Sequence, residues 1–201
     1  MVMVLPAVAE PVTVAALGDS LTQGYGLPPS DGFVPKLESW LRDNGADIVI
    51  LNAGVSGDTT AGGLARVDWT LTPEVDAMIV ALGGNDLLRG LPPEDSRANL
   101  DGILTRASEK SLPVLLVGLN APGNYGPEYK QAFDGMYTEL AEIHGALHFD
   151  SFLAGLEALG DQAVVLRDYM QPDGIHPNAA GVELIVEAMG SAVLELIEQV
   201  E

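Results

Sequence analysis

The sequence predicts an α/β protein, a three-layer α/β/α sandwich on a parallel sheet of about five strands. Two observations carry this. Short apolar runs rich in β-branched residues recur along the 201 residues, and stretches with helical spacing fall between them. Near-continuous apolar runs are how strands read when a parallel sheet is covered on both faces. Strands alternating with helices require crossover connections, which put helices on both faces.

The strand candidates in order are residues 12–17 (VTVAAL), 48–51 (IVIL), 77–82 (AMIVAL), 114–119 (VLLVGL) and a weaker fifth at 146–149 (ALHF). Residues 33–44 place Val34, Leu37 and Leu41 at helical spacing, and Asn44-Gly45 is a stop signal. Residues 60–69 are a second helix. Residues 93–110 begin after a proline pair, with acids early and bases late, which suits the helix dipole. Residues 125–144 end at Gly145. The last helix, 179–199, follows Asn178 as N-cap, and Val182, Ile185, Val186, Met189 and Val193 form its apolar stripe. No repeat, low-complexity tract or linker interrupts the pattern, so residues 10–201 are expected to form one domain.

Composition narrows the function. Hydrophobic residues make up 47% of the chain, enough for a sizeable core. The absence of cysteine excludes disulfides, thiolate zinc sites and a cysteine nucleophile. A net charge of −20, from 29 acidic and 9 basic residues, repels phosphate backbones. Neither nucleic acid nor an anionic membrane surface is an expected partner. No apolar run approaches the ~20 residues needed to span a bilayer, so no stable membrane insertion is expected. With no interface stripe visible, a monomer is expected. Residues 1–9 (MVMVLPAVA) end in Ala7-Val8-Ala9, a small-residue pattern like that before a signal-peptidase cut. They are too short for a full signal and lack a basic start. They are read as a possible remnant of an export signal, with a periplasmic or secreted location expected and a cytoplasmic one as the alternative.

In open parallel sheets, ligands bind outside the carboxyl ends of the strands. After the first strand comes Gly18-Asp19-Ser20-Leu21, where Ser20 is either a presented nucleophile or an ordinary helix cap. After the second comes Ser56-Gly57-Asp58, where Gly57 offers an N–H that no Cβ shields, or merely a turn. After the third comes Gly83-Gly84-Asn85-Asp86, where Asn85 can donate its amide, or again make a turn. Near the end, prolines bracket Asp173-Gly174-Ile175-His176. There a carboxylate can hold the imidazole Nδ1 and leave Nε2 facing a nucleophile. Taken together, the four pieces supply a nucleophile, a base, an orienting carboxylate and oxyanion donors, the set needed for acyl transfer. Asp58 and Asp86 either tune His176 or cap the helices that follow them.

With GDSL at 18–21, Gly57 in VSGDTT, GGND at 83–86 and DGIHP at 173–177, the chain resembles the GDSL/SGNH hydrolase family. The likeness runs over about residues 12–199. GDSLTQGYG, LARV, LGGNDLLRG, NYGPEY and MQPDGIHPN read most like its small bacterial thioesterase/lysophospholipase/arylesterase group. The resemblance implies a flavodoxin-like fold and a serine esterase with Ser20 as nucleophile, His176 as base and Asp173 as orienter. It implies an oxyanion hole from the N–H groups of Ser20 and Gly57 and the amide of Asn85. No metal or organic cofactor is expected.

Leu21, Leu88, Pro122 and Ile175 flank these motifs and either line a groove for substrate or pack as core and loop. The acidic balance disfavours a polyanionic coenzyme A thioester. Short- to medium-chain neutral acyl esters, aryl esters included, are the expected substrates. Acyl-CoA thioesterase and lysophospholipase activity are the alternatives within the class. Carbohydrate deacetylation is less expected, because only 4 Phe, 5 Tyr and 2 Trp are available to stack sugars. A non-catalytic flavodoxin-like binding module is the rival of another class. His144 and His148 have metal-like spacing, but Gly145 breaks any helix between them, so both are read as structural.

Overall fold

The computed structural model describes residues 10–200, so the expected signal remnant lies outside the described residues. Five parallel strands form one sheet: β1 (Val12–Gly18), β2 (Ile48–Gly54), β3 (Ala77–Ala81), β4 (Val114–Val117) and β5 (Leu147–Phe149). Their order is β2-β1-β3-β4-β5. Strand β1 therefore lies inside the sheet, and the path runs outward to β2, then reverses to β3. That reversal leaves a crevice between the carboxyl ends of β1 and β3, where doubly wound folds bind ligands.

The helices are α1 (Ser20–Gln23), α2 (Phe33–Asp43), α3 (Thr60–Thr70), α4 (Gly84–Leu88), α5 (Pro93–Glu109), α6 (Pro127–His144), α7 (Ala154–Glu157), α8 (Gln162–Val164) and α9 (Ala179–Ile197). A π-helical turn, Val165–Tyr169, follows α8. Alternation within β1 separates two cores. Val14 and Ala16 face α2 and α9, with Phe33, Leu37, Ile185 and Met189. Ala15 and Leu17 face α3, α5 and α6, with Val67, Ile103, Phe133 and Tyr137. The sandwich thus has the three layers that the sequence predicts.

The differences sit at element ends. The second strand continues to Gly54 rather than stopping at residue 51, because Asn52-Ala53-Gly54 keep pairing with Ala16-Leu17-Gly18. The fourth strand ends at Val117, and α6 starts at Pro127 after a 3-10 turn, Gly123–Tyr125. Pro127 fits the first turn of α6, where a missing N–H costs nothing.

Candidate active site

Ser20 is the first residue of α1, two residues beyond the end of β1. Asp19 caps that helix, its Oδ1 accepting the Leu21 N–H at 2.9 Å. The turn sits tightly on the sheet. A Cβ on Gly18 would come within 2.0 Å of Thr22 Oγ1, and one on Gly54 within 2.3 Å of the Gln23 nitrogen. Two strand-end glycines therefore let the Ser20 turn settle between β1 and β2.

The second half of the site is the loop before α9. A lone antiparallel bridge joins Met170 to Pro177 and closes the loop on itself. Gln171 staples it: its N–H donates to the His176 carbonyl at 2.8 Å. Its Nε2 donates to the carbonyls of Tyr25 (2.8 Å) and Pro177 (2.9 Å). Inside the loop, Asp173 Oδ1 accepts the N–H groups of Ile175 (2.9 Å) and His176 (3.0 Å). Oδ2 lies 2.6 Å from His176 Nδ1, and His176 Nε2 lies 2.9 Å from Ser20 Oγ. A carboxylate only accepts, so Nδ1 carries the proton and Nε2 is left to accept from the Ser20 hydroxyl. Tyr25, just past the end of α1, packs its ring 4.6 Å from the imidazole, centroid to centroid.

The two carboxylates are shifted in opposite directions. His176 and the two backbone N–H groups hold the Asp173 carboxyl down at about 2. Burial pushes Asp19 up to about 6, against the opposing pull of the Leu21 N–H and the Asn85 amide. Sequence reasoning misses Asp19 as part of the site, because its burial depends on contacts far along the chain.

The oxyanion candidates fall beyond the ends of β1, β2 and β3. Gly57 has φ +85°, a backbone that a side chain would strain. Among the described residues, the N–H groups of Ser20 and Gly57 find no acceptor within the chain. Asn85 Nδ2 donates one hydrogen to Asp19 Oδ2 at 3.3 Å, which leaves its second hydrogen for another acceptor. Asp86, beside it, is buried and accepts from the Thr60 N–H (2.8 Å), Thr60 Oγ1 (2.6 Å) and Ser96 Oγ (3.0 Å). Its carboxylate therefore holds α3 and α5 rather than His176. Asp58 is likewise engaged elsewhere, accepting from Arg66 Nε at 2.6 Å.

The flanking apolar residues divide. Leu21 is half-buried and packs against the core between the sheet, α2 and α9. Leu88 and Ile175 are 58% and 46% exposed, and Pro122 is exposed as well. Away from the site, His144 Nε2 pairs with Asp101 at 2.8 Å, and His148 Nδ1 lies 3.5 Å from Asp150. Among the described residues, no group of three or more His, Asp or Glu side chains is placed to hold a metal ion. No helix among them is long and apolar enough to cross a membrane.

Comparison with known proteins agrees on one family. The profile of the GDSL-like Lipase/Acylhydrolase family matches residues 16–184. Esterase TesA of Pseudomonas aeruginosa is 39% identical over 176 residues, covering 87% of this chain and 84% of that protein. An arylesterase of Vibrio mimicus is 31% identical over 180 residues, covering 89% and 86%. Among solved structures, AlinE4, an SGNH-hydrolase family esterase, superposes with a TM-score of 0.75 at 44% identity, covering 94% of this chain and 98% of that one.

Proposed function

Because the chain belongs to the GDSL-like lipase/acylhydrolase family and is a carboxylic ester hydrolase, we propose that it works through a Ser20–His176–Asp173 triad and an acyl-enzyme. The observation that carries this reading is the unbroken run of hydrogen bonds from Asp173 Oδ2 through both imidazole nitrogens to Ser20 Oγ.

In the proposed cycle, Ser20 Oγ attacks the ester carbonyl carbon while His176 Nε2 takes the hydroxyl proton. The imidazolium is stabilised by the ionised Asp173. The carbonyl oxygen becomes an oxyanion held by the N–H groups of Ser20 and Gly57 and by Asn85 Nδ2. Collapse breaks the bond to the leaving oxygen, which takes the proton from His176. Water, deprotonated by His176, then attacks the acyl-enzyme, and Ser20 recovers its proton as the acid leaves.

For substrate, we favour short- to medium-chain acyl esters, including aryl esters. The arylesterase relative supports the leaving group. The net charge of −20 opposes polyanionic coenzyme A thioesters. Leu88, Pro122 and Ile175 are the surface we assign to the apolar parts of the substrate, and the protein acts as a monomer. The test is hydrolysis of p-nitrophenyl esters of two to sixteen carbons, beside Ser20→Ala. Activity that peaks at a short or medium chain and vanishes in the variant is expected. Equal background from both proteins would contradict the reading. An acyl-CoA preferred by kcat/KM at low salt would overturn the substrate class alone.

A further inference from the structure

Each proposed oxyanion donor follows a different strand, so something must fix the three relative to one another. The strand ends alone do not, because each donor lies beyond the last paired residue of its strand. A single helix reaches all three segments. Arg66, in the middle of α3, donates Nη2 to the Gly18 carbonyl at 2.9 Å and Nη1 to the Ala53 carbonyl at 2.8 Å. Its Nε donates to Asp58 Oδ2 at 2.6 Å. Gly18 is two residues before Ser20, and Asp58 follows Gly57. At the start of the same helix, the Thr60 N–H and hydroxyl are gripped by Asp86, the neighbour of Asn85.

We infer that Arg66 is a positioning residue for the oxyanion hole, locking the Ser20 turn to the Gly57 loop while Asp86 ties the same helix to the Asn85 turn. The inference rests on the oxyanion hole proposed above. The guanidinium suits the task. It is planar, always charged, and donates in several fixed directions at once, which a lysine ammonium on a flexible stem does not reproduce. The Arg66 and Asp58 side chains are only 23% and 19% exposed, so their contacts are largely shielded from water. Three bonds from one rigid group, two to the ends of β1 and β2 and one to the Gly57 loop, fix that loop against the strand end that carries the Ser20 turn. Displacing a donor by about 1 Å can cost on the order of 100-fold in rate.

The experiment compares Arg66→Lys and Asp58→Asn with the parent protein on p-nitrophenyl butyrate. It measures kcat, KM, Tm and inhibition by butylboronic acid, which adds to a serine hydroxyl as a tetrahedral adduct. Active-site titration counts the competent enzyme, so partial unfolding does not pass for lost chemistry. Arg66→Lys should lower kcat by about 10- to 100-fold, leave KM within about twofold, and weaken the boronate in step with kcat. Asp58→Asn should do the same to a smaller degree, since only one of the three bonds is altered. A lower Tm with unchanged kcat per titrated site would overturn the inference, as would an effect confined to KM. Asn85→Ala, run alongside, separates the two claims. If it leaves kcat unchanged, the oxyanion hole itself is misassigned. If it lowers kcat while Arg66→Lys does not, only the role of Arg66 falls.

Discussion

Asp19 stands beside Ser20 and Asp173 beside His176, and the surroundings of the two carboxylates are opposed. Asp19 is 3% exposed and has two donors, and burial raises its carboxyl to about 6. Asp173 lies on a wetter loop with three donors, and these lower its carboxyl to about 2. The number of donors that converge on a carboxylate, set against the water it has lost, decides the direction of the shift. The comparison teaches which carboxylate can serve the proposed base, His176. Asp173 stays ionised throughout the neutral range, whereas Asp19 changes charge near pH 6. The Ser20 side is built by burial and strand ends, and the His176 side by a hydrogen-bonded loop.

After Ser20→Ala, the largest effect should come from Asp173→Asn. An amide can donate to Nδ1, which drives the imidazole proton onto Nε2 and removes the acceptor for Ser20. A loss in kcat on the order of 10³- to 10⁴-fold is expected, with KM little changed. A loss below about tenfold would mean that another group orients His176. Next comes Asn85→Ala, where the lost donor should lower kcat by about 10²- to 10³-fold. A change mainly in KM would assign Asn85 to ground-state binding instead.

Asp19→Asn should separate the two carboxylates by stability. A raised carboxyl pKa means that the folded state favours the protonated form. The contribution is complete below about 3.8 and is lost as pH rises through about 6. The full shift corresponds to roughly 3 kcal/mol. Thermal melts at about pH 5 and pH 8 should therefore show the variant gaining on the parent toward the higher pH. Asp173 behaves in the reverse sense, with its contribution present above about 3.8 and lost only as pH falls toward about 2. A parent-to-variant gap that does not change with pH would contradict the assignment for Asp19. The smallest effect is expected from Leu88→Ala, a change of a few-fold in kcat/KM that grows with acyl length, read from the p-nitrophenyl ester series. No dependence on length would remove Leu88 from the substrate surface.

Much of this was legible in the sequence because it is local. The strands are short apolar runs, and Ser20, Gly57, Asn85, Asp173 and His176 stand just beyond strands or just before a helix. Asp173 and His176 are three residues apart, so their pairing needs only a turn. What stayed hidden is of two kinds. Helices α1, α4, α7 and α8 have five residues or fewer, too few for a helical period to emerge. The contacts Asn85–Asp19, Asp86–Thr60 and Arg66–Gly18 span separations of 66, 26 and 48 positions, so no local pattern announces them. Strand β2 runs longer than its apolar stretch because its last residues pair through the backbone, to which side-chain hydropathy is blind.

The most direct test of the central claim is to trap the intermediate. The protein is mixed with a p-nitrophenyl ester, quenched in acid within milliseconds, digested and mapped by mass spectrometry. The account predicts an added acyl group on the peptide containing Ser20, localised to that residue and absent from Ser20→Ala. An acyl group on another residue, or single-turnover hydrolysis by Ser20→Ala at the parent rate, would contradict it.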